Sequence, residues 1–235
     1  MSHPLNVLVS DPWRALDALV DGPLHPGGRA ATEELLDRTA VGDGTAVLDV
    51  GCGRGEALQL ARERGARPVG LDRDPDAAEA VVGDMTALPF RDGSFDVALG
   101  ECVLCLSPDL ERTLGDVARV LGDGGRLGLS DVTVTGEPPT LPAPVDRLVC
   151  LDGQREPRQI RHAVERAGFE VQETETHADD LLEMRDRIRE AVDYERLTGA
   201  LGERGGDLRE GVQDLEAAIE AGRIGYVSIV ATKTS

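Results

Sequence analysis

Carboxylates and glycines follow a short apolar stretch near residue 50, and together they could bind a nucleotide-like ligand. Apart from Asp49, residues 46–50 are apolar and rich in β-branched side chains, which is typical of a buried parallel strand. Gly51–Gly55 then form a Gly-x-Gly-x-Gly turn, and residues 56–64 have helical character. Strand, glycine turn and helix in this order predict a nucleotide site at the carboxyl ends of a parallel sheet. Glycines there let the backbone N–H groups of the turn come close to a ligand.

The spacing of this turn separates two classes of ligand. A dinucleotide fingerprint requires Gly-x-Gly-x-x-Gly, whereas the third glycine here is Gly55, one position too early. Asp49 directly precedes the turn and would repel the phosphates of a dinucleotide, but it suits a cation. S-adenosylmethionine carries an ammonium and a sulfonium group and has no phosphate. The turn therefore favours a cationic nucleoside over a dinucleotide.

Composition and charge exclude several kinds of partner. The chain has 235 residues, which is long enough for one domain over residues 1–235 with a sizeable core. Its formal net charge is −19. So acidic a surface repels phosphate backbones, and nucleic acid is not an expected partner. The sequence contains no apolar span long enough to predict a membrane segment, and its four cysteines do not form a disulfide-dense pattern. We expect a cytoplasmic protein with reduced thiols, a monomer or homodimer, whose partner is a small molecule.

Alternating apolar strands and amphipathic helices predict an α/β fold: a doubly wound, mostly parallel, seven-stranded sheet. The predicted strands are 46–50, 68–71, 80–84, 95–99, 126–131, 169–176 and 225–231. The predicted helices are 13–20, 29–38, 56–64, 109–121, capped by Ser107 and Pro108, and 158–167, with amphipathic stretches at 181–192 and 208–219. Only a short helix fits between Asp72 and the third strand.

Three regions follow from this pattern. Residues 1–44 form N-terminal helices that either close over the site as a lid or cover a sheet edge. Residues 45–135 form the cofactor-binding core. Residues 136–235 form a substrate-side region, in which helices at about 178–222 are inserted before the final strand.

Four motifs, in order, resemble those of the class I S-adenosylmethionine-dependent methyltransferases. Residues 48–55 resemble the first motif of that family, and the strand that ends at Asp72 resembles the second. Residues 83–96 resemble the third motif and the following strand, and residues 119–127 resemble the connection into strand five. The resemblance implies a Rossmann-like fold, S-adenosylmethionine as cofactor, and methyl transfer to a small molecule by direct displacement.

The resemblance also implies a role for each matching residue. Asp49 and the turn would hold the methionine part of the cofactor, Asp72 both ribose hydroxyls, and Asp84 the adenine amine beside the Met85 backbone. Glu101 and Cys102, just past strand four, would line the methyl-transfer end. The implied cofactor-binding residues are Asp49, Gly51, Cys52, Gly53, Gly55, Asp72, Arg73, Asp84, Met85 and Glu101, and the candidate catalytic residues are Glu101, Cys102, Cys105, Cys150 and His25.

Three thiols permit a narrower interpretation. Cys102 and Cys105 follow strand four, and Cys150 stands alone about 45 residues on, an arrangement similar to that of arsenite methyltransferases. That resemblance implies thiolates that hold a trivalent metalloid as the methyl acceptor. The alternative is that these cysteines pack as small apolar side chains or line the substrate pocket. A zinc site is not expected, since no fourth ligand has suitable spacing.

The sequence also fits other interpretations. His25, in the turn formed by residues 24–28, is either a general base or an ordinary loop residue. The chain could instead be a nicotinamide-dependent oxidoreductase, although the glycine spacing and Asp49 disfavour that class. It could also bind the cofactor without turnover, because the short helix after Asp72 removes part of the expected adenine wall.

Overall fold

The computed structural model describes residues 20, 22–75, 77, 80–137, 139, 155–191, 199 and 203–234. Its helices are α1 (Gly28–Arg38), α2 (Glu56–Glu63), α3 (Leu110–Val120), α4 (Pro157–Arg166), α5 (Ala178–Ala191) and α6 (Glu203–Glu220), with a 3-10 turn at Leu104–Leu106. Its strands are β1 (Ala46–Val50), β2 (Arg67–Asp72), β3 (Val81–Val82), β4 (Phe95–Glu101), β5 (Leu121–Val134), β6 (Phe169–Thr176) and β7 (Ile224–Lys233).

The strands form one sheet in the order β3-β2-β1-β4-β5-β7-β6. The neighbours from β3 to β5 are parallel, while β7 pairs antiparallel with both β5 and β6. The predicted doubly wound, mostly parallel, seven-stranded fold is confirmed. Chain order reverses at β1 and β4, and ligands bind at such a switch point, outside the carboxyl ends of the strands.

Helices cover both faces of the sheet because the parallel strands are apolar on both sides. One buried cluster joins α3 and α4 to the face of β1 and β4 that carries Leu48 and Ala98. A second cluster joins α1 and α2 to the opposite face, which carries Val47, Val97 and Leu99. Side chains alternate along a strand, so Asp49 and Glu101 extend the second face. The sheet therefore directs both carboxylates towards the side that α1 covers.

A third cluster lies next to the carboxyl ends of β4 and β5. Leu181 of α5 and Ile219 of α6 pack there against Val134, Ile224 and Tyr226 of β5 and β7. The two predicted amphipathic stretches are thus helices, and their apolar faces cover this end of the sheet. The inserted helical region is placed beside the candidate site.

Several boundaries differ from the sequence prediction. Strand β4 continues to Glu101, since its ladder with β5 extends to the pair Glu101 and Ser130. Strand β5 begins at Leu121 rather than residue 126, with a register shift opposite Phe95 and Val97. Strand β3 has only two residues. Helix α3 begins one residue later than predicted, because Asp109, rather than Ser107, caps it by accepting from the Arg112 N–H.

Some predictions lie outside the described residues. These are the helix at 13–20, apart from Val20, most of the proline-rich run 137–144, and Cys150. The predicted short helix after Asp72 is partly outside them as well. Of that segment, Pro75, Ala77 and Ala80 are described, and none of the three is helical.

Candidate functional site

The glycine turn between β1 and α2 needs glycine for two separate reasons. Gly51 and Gly55 have φ values of 78° and 81°, in the left-handed region that L side chains rarely adopt. A Cβ at Gly51 would also collide with the side chain of Val103, which lies behind the turn. A Cβ at Gly53 would meet nothing within 4 Å. The turn is thus packed against protein at Gly51 and borders open space at Gly53.

The N–H groups of this turn are already used within the protein. Those of Gly51 and Cys52 donate to the Leu71 carbonyl at 2.7 and 3.2 Å, and that of Gly55 donates to the Cys52 carbonyl at 2.7 Å. The Gly53 N–H donates to Asp72 Oδ2 at 3.0 Å. The N–H groups of these four residues therefore each have an acceptor within the protein. Phosphate is bound by free backbone N–H groups, so a turn in which most of these groups already donate within the protein is poorly suited to phosphate.

Asp72 ends β2 and is oriented by the backbone. Its Oδ2 accepts from Gly53 N–H, and its Oδ1 accepts from Asp74 N–H at 3.0 Å. Each carboxylate oxygen can accept more than one hydrogen bond, so both can still accept from a pair of hydroxyls. The structure thus holds a fixed, half-buried carboxylate next to the glycine turn.

Three carboxyl groups, from Asp49, Asp72 and Glu101, converge at the ends of β1, β2 and β4. Burial, together with the charges of Glu101 and Asp72, raises the pKa of Asp49 to about 8. Burial also raises the pKa of Glu101 to about 7. Buried carboxyl groups such as Asp49 and Glu101 resist ionising together unless a positive charge joins them. The cluster suits a cationic ligand and opposes an anionic one.

Glu101 connects this cluster to the N-terminal segment. Its two carboxyl oxygens lie 3.0 and 3.2 Å from the Thr32 hydroxyl of α1. The same hydroxyl lies 3.1 Å from Nε2 of His25, which is itself 3.8 Å from Glu101 Oε1. The candidate base His25 is therefore brought to the candidate transfer end.

The turn after β4 carries Cys102 and Cys105. Cys102 has a φ of 52°, its N–H donates to the Ser130 carbonyl at 2.8 Å, and its Sγ lies 4.0 Å from the Tyr226 hydroxyl. Cys105 N–H donates to the buried Asp131 carboxylate at 2.7 Å, and Cys105 Sγ lies 3.7 Å from the Cys102 carbonyl. Burial raises the pKa of Asp131 to about 6. Asp131 thus fixes the turn that presents Cys102.

The remaining predicted residues divide into two groups. Asp84 is exposed and closes a local turn, accepting from Thr86 N–H at 2.8 Å and from the Thr86 hydroxyl at 2.7 Å. These hydrogen bonds lower the Asp84 pKa, and the nearby exposed Arg73 lowers it further. Met85 and Cys52 are buried. Burial, with the charges of Asp49 and Asp72, raises the pKa of the Cys52 thiol to about 12, so it stays neutral.

Sequence reasoning missed Thr32, Ser130, Asp131 and Tyr226. A signal existed for Thr32, since it falls on the buried stripe of α1 with Gly28, Leu35 and Leu36. A polar residue on a core-facing stripe has to find a partner. The pairing of Ser130 with Glu101 and the hydrogen bond from Tyr226 to Ser130, 2.7 Å long, depend on strand register.

Two negative findings apply to the described part of the chain. Within it, no three or more His, Cys, Asp or Glu side chains are grouped as a metal site would require. Within the same residues, no helix is both long and apolar enough to cross a bilayer.

Comparison with known proteins agrees with this geometry. Residues 48–129 match the methyltransferase domain family. The methyltransferase GfsG of Streptomyces halstedii is 36% identical over 131 residues, 48% of this chain and 47% of that protein. An arsenite methyltransferase of Halobacterium salinarum is 32% identical over 154 residues, 57% of this chain and 39% of that protein. The chain thus spans about half the length, or less, of these curated relatives.

Solved structures share the fold over nearly the whole chain. Phosphoethanolamine N-methyltransferase 2 of Haemonchus contortus, solved with S-adenosyl-L-methionine, has a TM-score of 0.73 at 20% identity, covering 100% of this chain and 61% of that one. The cyclase SpnF has a TM-score of 0.72 at 20% identity, covering 98% and 94%. At such identities the likeness establishes the fold alone. Residues 48–129 thus match a methyltransferase domain, and the chain as a whole shares the fold of these solved structures.

Proposed function

We propose that the protein is an S-adenosylmethionine-dependent methyltransferase that acts on a small-molecule acceptor. One observation carries the proposal: Asp49, Asp72 and Glu101 converge beside a glycine turn whose N–H groups are mostly used internally. This donor set fits a nucleoside that is positively charged and has no phosphate. It does not fit a nicotinamide dinucleotide, whose pyrophosphate needs free donors and tolerates no adjacent carboxylates.

The position of each residue in the site suggests which part of the cofactor it would bind. Asp72, oriented by the N–H groups of Gly53 and Asp74, would accept from both ribose hydroxyls. Asp49 and the open side of the turn at Gly53 would take the charged methionine part. The segment after β3, with Asp84 and Met85 and with Arg73 nearby, would border the adenine. Glu101 and Cys102 would lie at the methyl-transfer end.

When bound, S-adenosylmethionine supplies an electrophilic methyl group on a positively charged sulfur. The protein then has to align the acceptor and exclude water, and such orientation can contribute on the order of 7–11 kcal/mol. Helices α1 and α5 with the turn around His25 cover the carboxyl ends of β4 and β5, which supports a role in excluding water. A base is needed only for an acceptor that arrives protonated, and Glu101 is the buried candidate.

Calorimetry with S-adenosylmethionine and the Asp72→Asn variant tests the proposal. We expect saturable binding to the unmodified protein and at least a tenfold weaker Kd, about 1.4 kcal/mol, for Asp72→Asn. The matched control is Asp123→Asn, which removes an exposed carboxylate at the opposite end of β5 and should leave Kd unchanged. The proposal is refuted if S-adenosylmethionine at millimolar concentration produces neither heat nor a thermal shift, or if the protein binds NADH instead.

Two observations motivate a narrower class of acceptor as a second proposal. Cys102 and Cys105 lie together in the turn at the transfer end, and one relative is an arsenite methyltransferase. On this view a trivalent metalloid bound by thiolates is the substrate, with Cys150 as a further thiol. The cytoplasmic location we propose would keep the thiols reduced. If instead the cofactor binds and no acceptor in a broad panel is methylated, the protein is a cofactor-binding partner without turnover.

A further inference from the structure

Thr32 occupies an unusual place for a threonine. It is 1% exposed, on the face of α1 that packs against the sheet. Its hydroxyl oxygen lies 3.1 Å from His25 Nε2 and 3.0 and 3.2 Å from the two carboxyl oxygens of Glu101. The Gly28 carbonyl is the only other acceptor recorded for this hydroxyl among the described residues, at a long 3.5 Å. One hydroxyl thus bridges an imidazole and a carboxyl group inside the protein.

The hydrogens in this bridge can be counted. His25 Nδ1 lies 3.0 Å from the Pro26 carbonyl, which only accepts, so Nδ1 carries the hydrogen. Neutral His25 then presents a lone pair at Nε2, and an ionised Glu101 presents only lone pairs. Thr32 has a single hydrogen and can satisfy one of the two. The other contact would bring two acceptors together in a buried place, which is costly.

One additional proton resolves the conflict. Placed on Glu101, it gives a chain in which Glu101 donates to Thr32, Thr32 to His25, and His25 to Pro26. Placed on His25 Nε2, it reverses the first two bonds, so that His25 donates to Thr32 and Thr32 to Glu101. The two arrangements differ only by moving two hydrogens along the same contacts. We propose that Thr32 is a positioning residue whose hydroxyl makes His25, Thr32 and Glu101 a relay that holds one shared proton.

The charged surroundings favour the arrangement with the proton on Glu101. Burial lowers the pKa of His25, while Asp180 of α5 and Glu56 of α2 oppose that shift and Arg187 of α5 adds to it. Burial raises the pKa of Glu101, the hydrogen bond from Thr32 opposes that rise, and Glu56 adds to it. Asp49 of β1 and Tyr226 of β7 lie near Glu101, and Cys102 follows it directly after β4; none of the three supplies a positive charge. Both ends of the relay are therefore held neutral in the ligand-free protein.

Under the proposed function, on which this step rests, the relay handles the proton of the acceptor. With the positively charged cofactor bound, the relay's shared proton leaves to solvent and Glu101 is ionised, so a protonated acceptor gives its proton to Glu101 as its nucleophilic atom takes the methyl group. Glu101 then passes a proton to Thr32 while Thr32 passes its own to His25 Nε2. Thr32 ends unchanged, and one proton has moved from Glu101 to His25. At 12% side-chain exposure against 7% for Glu101, His25 is the end closer to solvent.

Nuclear magnetic resonance on the ligand-free protein tests the shared proton without reference to methyl transfer. The Glu101 carboxyl carbon and the His25 ring nitrogens are titrated in the unmodified protein and in Thr32→Ser and Thr32→Val. Spectra of Glu101→Gln and His25→Gln assign the signals, and Asp49→Asn identifies any contribution from Asp49. We expect a common midpoint and the Nδ1–H tautomer in the unmodified protein and in Thr32→Ser. In Thr32→Val the two midpoints should separate by about one pH unit or more.

Independent midpoints in the unmodified protein, or unchanged midpoints in Thr32→Val, would overturn the relay. If Thr32→Val does not fold, the unmodified protein and Thr32→Ser decide, because both must show the common midpoint. In the catalytic arm, Thr32→Val should lower kcat about 10- to 100-fold for a protonated acceptor, with Thr32→Ser close to the unmodified rate. Absence of cofactor binding would refute the proposed function yet leave the titration result standing, so the two failures are distinguishable.

Discussion

Strand alternation decides which carboxyl groups meet at the site. Asp49 pairs with Leu99 in the ladder between β1 and β4, and Glu101 lies two residues further along β4 on the same face. Both therefore face α1, from which Thr32 reaches Glu101. A shift of either strand by one residue would turn its carboxylate to the opposite face. The strand register of β1 and β4 therefore determines that the carboxyl groups of Asp49 and Glu101 lie on the same face of the sheet.

Substitutions of the thiols test the metalloid alternative at the residue scale. We expect Cys102→Ser and Cys150→Ser each to abolish arsenite-stimulated cofactor turnover, since serine oxygen is a poor ligand for a soft trivalent centre. Turnover is followed by release of the demethylated cofactor, and calorimetry should show unchanged cofactor binding in both variants. Survival of arsenite-stimulated turnover in both would mean that these sulfur atoms only pack.

At the scale of elements, the turn between β1 and α2 depends on its contact with the turn after β4. A side chain at Gly51 would combine a left-handed φ with a collision against Val103. We expect Gly51→Ala to lower the free energy of unfolding by about 2–3 kcal/mol, measured by chemical denaturation.

Gly124→Ala is the matched control for that substitution. Gly124 has a φ of 71°, and a Cβ there would meet nothing within 4 Å. It should therefore cost only the backbone strain, about 1–2 kcal/mol. Adding Val103→Ala to Gly51→Ala should recover part of the loss. Equal costs for Gly51→Ala and Gly124→Ala would mean that Val103 is not the obstacle.

The elements themselves were largely predictable, whereas the contacts between them were not. Hydrophobic periodicity located α1, α2, α4, β1, β2, β6 and β7 to within about two residues, since one buried face imposes a repeat. The extension of β4 to Glu101 depends on its ladder with β5, which local sequence does not encode. The bridge from His25 through Thr32 to Glu101 joins residues up to 76 positions apart and needs the tertiary fold.

At the scale of the whole molecule, the buried carboxyl groups make stability depend on pH. Asp49 and Glu101 have pKa values raised to about 8 and about 7 in the folded protein, from ordinary values of 3.8 and 4.5. As pH rises, the unfolded chain releases these protons first and the folded protein releases them last. The ligand-free protein should therefore lose stability as pH rises from the ordinary pKa values of these two groups to their raised values.

The fall should be clearest between pH 6.5 and 8. Below 6.5, the lowered pKa of His25 acts in the opposite direction, because the unfolded chain then binds the extra proton. Each proton contributes a slope of about 1.4 kcal/mol per pH unit. Chemical denaturation at several pH values measures the free energy of unfolding, and Glu101→Gln should make this free energy less dependent on pH. A stability that rises from pH 6.5 to 8 in the ligand-free protein would contradict the assignment.

The position of β7 has a consequence for the order in which the sheet can be completed. β7 follows β6 along the chain but lies between β5 and β6. On a ribosome, β5 therefore emerges with one bare edge, and β6 has no neighbour to join until residues 224–233 have been made. A bare edge invites pairing with other chains. The nascent protein thus exposes the unpaired edge of β5, which is prone to aggregation, until β7 with Tyr226 has been made.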